Sequence, residues 1–213
     1  MRLVTSTLKE VVKASYDLIA NRYLAWINEI QGDPRLRFLD NLMVRLPTHP
    51  KVLDLGCGAG VPCTALLAQH GDAIGVDLST SQIELARQKV PAARFYKADM
   101  STLELPPASF DAVTAFYSIA HLPRNEHGAL FQRIAMWLRP GGHFLAALGT
   151  GDTHGTIENW LGAPMFFSSY DTQTNCLLLN EAGFTTLVDE NVTMQEPEGP
   201  ATFQWVIAAK SDR

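Results

Sequence analysis

The chain has 213 residues, enough for about one compact domain with an elaboration and for a full apolar core. Its 46% hydrophobic and 18% charged residues exclude disordered, collagen-like and low-complexity classes. Seventeen Lys and Arg against 22 Asp and Glu leave a net charge of −5 with no basic block, so neither nucleic acid nor an anionic membrane surface is an expected partner.

Residues 1–12 carry Lys9 and Glu10 inside their apolar stretch, which gives no clean signal-peptide core. No run of about 18 apolar residues occurs anywhere, and the expected location is the cytoplasm. Apolar residues then recur at three-and-four spacing from Leu8 through Val12, Ile19, Tyr23 and Trp26 to Ile30, predicting an amphipathic helix that Gly32-Asp33-Pro34 stops. A second helical pattern (Leu36, Leu39, Leu42, Met43, Leu46) ends at Pro47-Thr48-His49-Pro50, because proline cannot continue a helix.

From residue 51 short apolar runs alternate with helical stretches. Strands are predicted at 51–55, 73–77, 93–97, 110–116 and 142–148, with helices at 61–69, 79–89 and 125–138. Continuous apolar strands separated by helices indicate a parallel sheet buried on both faces. Residues 149–171 carry Trp160, Met165, Phe166, Phe167 and Tyr170 without clear periodicity, as binding loops and lids do. A helix at 172–182 and two strands at 184–192 and 201–209, joined through Glu196-Pro197-Glu198-Gly199-Pro200, complete the chain as a hairpin. One domain is expected: a helical cap (1–49), a ligand-binding core (50–149), a substrate-side insert (150–171) and the final helix and hairpin (172–213).

The three cysteines, Cys57, Cys63 and Cys176, fit neither a disulfide framework nor a metal spacing, which implies a reducing compartment and no metal site. Chemistry concentrates where the first strand runs into Asp54-Leu55-Gly56-Cys57-Gly58-Ala59-Gly60, with Pro62 placed for a first helical turn. The glycines permit a tight turn and close approach of a ligand to the main chain. A dinucleotide GxGxxG fails in this register, since the sixth position is Val61 counted from Gly56 and Cys63 counted from Gly58. A P-loop fails too, for want of Gly-Lys-Ser/Thr.

The run Val52-Leu53-Asp54-Leu55-Gly56-Cys57-Gly58-Ala59-Gly60 resembles the first motif of class I S-adenosylmethionine-dependent methyltransferases. Gly75-Val76-Asp77-Leu78-Ser79, Lys97-Ala98-Asp99-Met100 and Leu138-Arg139-Pro140-Gly141-Gly142 follow in that family's order, so the resemblance covers roughly residues 50–149. It implies an α/β fold with a doubly wound, seven-stranded Rossmann-like sheet, order 3-2-1-4-5-7-6, strand 7 antiparallel. It also implies S-adenosyl-L-methionine as cofactor and methyl transfer to a small molecule. A carboxylate at a strand tip can accept from a ribose diol, which suits Asp77, and such sheets bind ligands at the switch point beside it. By resemblance Asp99 receives the adenine amino group, Leu78 and Met100 face the ring, and Asp54 with Gly56, Gly58 and Gly60 serves the methionine portion. Ser15-Tyr16-Asp17-Leu18-Ile19-Ala20-Asn21-Arg22-Tyr23 resembles a segment of the ubiquinone- and menaquinone-type members that folds over the cofactor. Tyr16 and Tyr23 are therefore expected to close the site, an aromatic face beside a sulfonium being electrostatically favourable.

Each assignment has a structural rival. The glycines could form a plain turn, Asp77 could cap the next helix although Ser79 suits that task better, and Asp99-Met100-Ser101 reads equally as a turn. Tyr16 and Tyr23 also serve an apolar helix face. His121, after the fourth strand, is the candidate general base, its unperturbed pKa lying near neutrality, and a hydrogen-bonded structural histidine is the rival. Trp160, Phe167 and Tyr170 are candidate acceptor contacts, with Phe166, Asp152 and His154 nearby and packing as the alternative for each. Cys57 and Cys63 read as inert thiols. Ala115-Phe116-Tyr117-Ser118 lacks the segment that nucleobase amino-methyltransferases carry there. The aromatic insert and acidic charge hint at a neutral, apolar or aromatic acceptor, and no acidic cluster for a polyamine is visible. Rival functions are an NAD-dependent oxidoreductase and a non-catalytic cofactor-binding module; the oligomeric state is open.

Overall fold

The computed structural model describes residues 7–211; half of the 1–12 stretch and the last two residues lie outside them. Seven strands form one sheet: β1 (Lys51–Leu55), β2 (Asp72–Asp77), β3 (Arg94–Lys97), β4 (Phe110–Phe116), β5 (Leu138–Gly149), β8 (Phe184–Glu196) and β9 (Gly199–Lys210). Their order is β3-β2-β1-β4-β5-β9-β8, with the first five parallel and β9 antiparallel to both neighbours. With β8 and β9 as sixth and seventh strands, this is the expected 3-2-1-4-5-7-6 order.

Alternation along each strand sends side chains to two separate cores. Leu53, Leu55, Val113, Ala115 and Phe144 pack with Phe131, Ile134 and Trp137 of α5 (His127–Trp137) and Leu179 of α6 (Thr172–Glu181). On the other face Val52, Ala112, Leu145 and Trp205 pack with Leu67 of α3 (Cys63–His70) and with Phe38, Leu39 and Leu42 of α2 (Arg35–Met43). Of the two N-terminal helices expected as a cap, α2 is therefore part of the sheet packing.

Helix α1 (Leu8–Ile27) alone roofs the site. It starts with a capping box in which Thr7 Oγ1 accepts from the Glu10 N–H and Glu10 accepts from the Thr7 N–H. Asp17 ties it to α4 (Thr80–Lys89), accepting from Ser79 Oγ at 2.7 Å and from the Ser81 N–H at 3.1 Å.

The 149–171 stretch, expected to be irregular, is mostly an antiparallel hairpin, β6 (Thr153–Trp160) with β7 (Ala163–Ser169). β6 buries no residue, so the two-residue apolar period that marks a strand is absent from it. From β7, Met165 and Phe166 are fully buried against Val12 and Ile19 of α1. The insert thus carries the roof, and deleting it would disturb the cleft as well as any acceptor contact. Met165→Ala is expected to cost about 2–5 kcal/mol and to unseat α1. Urea unfolding and faster amide exchange in α1 would register this, and native protection of α1 would contradict it.

Candidate functional site

The turn after β1 owes its shape to two glycines. Gly56 has φ +68 and a Cβ there would stand 2.2 Å from Ser118 Cβ, so only glycine lets the segments after β1 and β4 meet. Gly60 (φ +75), expected in the ligand site, does not line the cleft: a Cβ there would meet Phe95 and Val90, so it packs the turn. Gly58 does line the cleft, and its N–H donates to Asp77 Oδ2 at 2.9 Å.

Asp77 ends β2 and also accepts from the Ser79 N–H at 2.8 Å. Ser79, as anticipated, is the N-cap of α4. Burial pushes the Asp77 carboxyl up to about 6, against the pull of the Ser79 and Gly58 hydrogen bonds. Asp54 is 2% exposed and accepts from Thr64 Oγ1 at 2.5 Å and Thr114 Oγ1 at 2.8 Å; burial raises its carboxyl to about 6 as well.

Asp77, Leu78, Asp99 and Met100 line one narrow cleft with Gly56, Gly58, Tyr16 and Tyr23, so the expected residues do converge. Asp99 is both turn and site: Oδ1 accepts from the Ser101 N–H and hydroxyl, while Oδ2 faces Lys9 Nζ of α1 at 3.4 Å. The other end of the cleft, beside Asp54 and Cys57, receives the Arg35 side chain, which pairs with Asp33. Burial pushes the Cys57 and Cys63 thiols up, keeping them protonated and inert.

Beyond the roof tyrosines lies a second cavity of about 680 Å³. Trp160 and Phe167 line it as expected, with His154. Tyr170 does not: its ring meets His127 edge-on and lies against the Arg124 guanidinium. Asp152 is likewise paired with Arg124. The β8–β9 turn brings Glu196 and Glu198 to this cavity, a pair of acids where the sequence showed no acidic cluster. Glu198 accepts from the Trp26 indole N–H at 3.0 Å, and burial with the neighbouring Glu198 raises the Glu196 carboxyl.

His121 stands where the two cavities meet. Its Nδ1 lies 2.9 Å from the Phe166 carbonyl oxygen, which only accepts, so Nδ1 carries the hydrogen. Nε2 then accepts from the Tyr16 hydroxyl at 2.8 Å. Burial lowers the imidazole to about 4 and holds the Tyr16 phenol well above its usual range, so both are neutral at pH 7.

Sequence reasoning missed Lys9, Arg35, Tyr117, Glu196 and Glu198. Tyr117 gives no sequence signal: it follows β4 at φ +59 and donates to Asp33 Oδ1 at 2.8 Å. Among the described residues, no cluster of three or more His, Cys, Asp or Glu could hold a metal, and no helix is long and apolar enough to cross a membrane.

Residues 52–142 match the methyltransferase domain family. Methyltransferase GfsG of Streptomyces halstedii is 32% identical over 181 residues, which make up 78% of this chain and 64% of the relative. The chain thus spans just under two thirds of that relative's length. The structure of the 1,6-didemethyltoxoflavin-N1-methyltransferase of Burkholderia thailandensis, with 1,6-didemethyltoxoflavin and S-adenosylhomocysteine bound, matches with a TM-score of 0.66 at 21% identity, covering 100% of this chain and 94% of that one. The cyclase SpnF matches with a TM-score of 0.73 at 18% identity, covering 98% and 97%. The fold is the Rossmann-like methyltransferase fold.

Proposed function

We propose, from the match of residues 52–142 to the methyltransferase domain family, that the protein transfers a methyl group from S-adenosylmethionine to a small-molecule acceptor. The observation that carries this reading is the junction at Tyr16, Tyr23, Tyr117 and His121, which wall both the cleft holding Asp77 and the 680 Å³ cavity. Bound cofactor supplies an electrophilic methyl group on a sulfonium. Asp77 accepts from the ribose, Asp99 with Leu78 and Met100 takes the adenine end, and Arg35 offers a cation to the methionine carboxylate. Gly56 and Gly58 keep that end of the cleft open, and Asp54 positions the turn through Thr64 and Thr114. The tyrosine roof excludes water and aligns the acceptor. For a hydroxyl or acidic-carbon acceptor, the leaving proton passes to the Tyr16 oxygen as the Tyr16 proton moves to His121 Nε2.

The Tyr16-to-Tyr23 segment over the cleft supports the finer likeness to ubiquinone- and menaquinone-type enzymes. The aromatic walls with Glu196 and Glu198 favour an apolar or aromatic acceptor that carries a hydrogen-bond-donating or cationic group. Because fold alone leaves the reaction open, as a cyclase on this fold illustrates, the test is chemical. Calorimetric titration should show micromolar binding of S-adenosylmethionine and S-adenosylhomocysteine and none of NAD. Formation of S-adenosylhomocysteine should then follow addition of a matched acceptor. NAD binding would favour the oxidoreductase reading, and cofactor binding without turnover on any acceptor would favour the binding module.

The raised Asp77 carboxyl makes binding pH-dependent. Ribose hydroxyls donating to the carboxylate lower its pKa, so binding releases a proton near pH 6 and affinity rises from about pH 5 to 7. Unliganded, the folded state holds protons on Asp54 and Asp77 more tightly than the unfolded chain. These two groups therefore favour folding at low pH, and that contribution is lost as pH rises from about 4 through about 6. Titration at pH 6 in two buffers of different ionisation enthalpy measures the release, and zero release would refute the Asp77 contact.

A further inference from the structure

Gln82 lies in the first turn of α4, three residues after the Ser79 N-cap. Its side chain is 1% exposed, yet neither Oε1 nor Nε2 has a hydrogen-bond partner. By contrast, the buried Asn175 Nδ2 donates to the Gly149 carbonyl and to Gln204 Oε1. A buried amide left open on both sides opposes folding, and a methionine or leucine of similar size would avoid that cost. Gln82 lines the cleft beside Asp77, Leu78 and Ser79, and a Cβ on Gly58 would stand 3.7 Å from its Oε1.

We propose that the Gln82 amide is a ligand contact, pairing with a ribose hydroxyl of the adenosyl group next to Asp77. This rests on reading the cleft as the S-adenosylmethionine site. The two Asp77 oxygens already accept from the Gly58 and Ser79 N–H groups, so their remaining capacity is shared between two hydroxyls. An amide that donates and accepts can complete either hydroxyl's bonding. Its place at the Gly58 and Asp77 end of the cleft assigns it to the ribose, with Asp99 and Met100 left for the base. Gln82 would therefore make the protein select a ribonucleoside cofactor over its deoxy counterparts.

The test pairs Gln82→Met with Gln82→Leu and uses S-adenosylhomocysteine and its 2′-deoxy and 3′-deoxy analogues as probes. Without ligand, thermal unfolding of either variant should occur at or above the wild-type temperature, because an open amide has been removed. Affinity for S-adenosylhomocysteine should fall on the order of five- to tenfold, the loss of about one neutral hydrogen bond. Against the analogue lacking the paired hydroxyl, variant and wild type should bind alike. An equal loss on all three probes, or a clear drop in unliganded stability in both variants, would give Gln82 a purely structural role and overturn the proposal. So would wild-type affinity of the variants for S-adenosylhomocysteine. A wild-type protein that binds none of the probes overturns the reading of the cleft itself.

Discussion

Asp77→Ala is expected to abolish measurable binding of S-adenosylmethionine and S-adenosylhomocysteine. Each hydrogen bond from a ribose hydroxyl to the carboxylate contributes roughly 1.5–3 kcal/mol, so losing two weakens binding a hundredfold or more. The substitution also frees the Gly58 and Ser79 N–H groups, loosening the turn against which the ligand lies. Asp77→Asn disturbs the turn less: it keeps the size and one of the two backbone hydrogen bonds but sets an NH2 group against the other N–H, so it should bind more weakly than wild type and unfold at a temperature between those of wild type and Asp77→Ala. Native circular dichroism with unchanged affinity in Asp77→Ala would sink the ribose assignment.

Replacing His121 by Ala, or Tyr16 by Phe, is expected to lower turnover by roughly a hundredfold or more with a hydroxyl or acidic-carbon acceptor, while cofactor affinity stays within a few fold. Tyr16→Phe keeps the ring packed on Tyr23 and Trp160 and removes only the hydroxyl that donates to His121. Because burial holds the His121 imidazole down to about 4, the acid limb of the rate profile should lie well below the ordinary histidine range. A limb near pH 6.5 would mean that the group titrating is exposed, and not His121. Undiminished turnover in both variants would identify an acceptor arriving as a neutral amine or thiolate, and would remove the pair from proton transfer.

The cleft was largely legible before folding. Gly56, Gly58, Asp77, Leu78, Asp99 and Met100 lie at strand ends, where the order of elements alone brings them together. Tyr16 and Tyr23 also reach the cleft, held there by the packing of α1 on β7. Trp160 and Phe167 were placed on the acceptor side, but their neighbour Tyr170 turned away once the insert proved to be a hairpin. Gly60 packs against Phe95 and Val90, since a positive φ serves a packed turn as well as a ligand. Gln82 gave no warning, since a glutamine at that spacing reads as an ordinary helix residue until its burial and empty bonding capacity are seen.

By itself, the sequence determined the α/β alternation, the glycine turn, the acids at the tips of β2 and β3, and the closing hairpin. These follow from short-range causes: side-chain period, proline and glycine backbone limits, and residue order along the chain. Tertiary structure alone decided that His121 faces Tyr16 and that Lys9 reaches Asp99. It alone decided that Arg35 enters the cleft, and that Glu196 and Glu198 edge the acceptor cavity. Each of these meetings joins segments far apart in the chain, and depends on how the roof helix, the hairpin and the sheet pack, which no local pattern encodes.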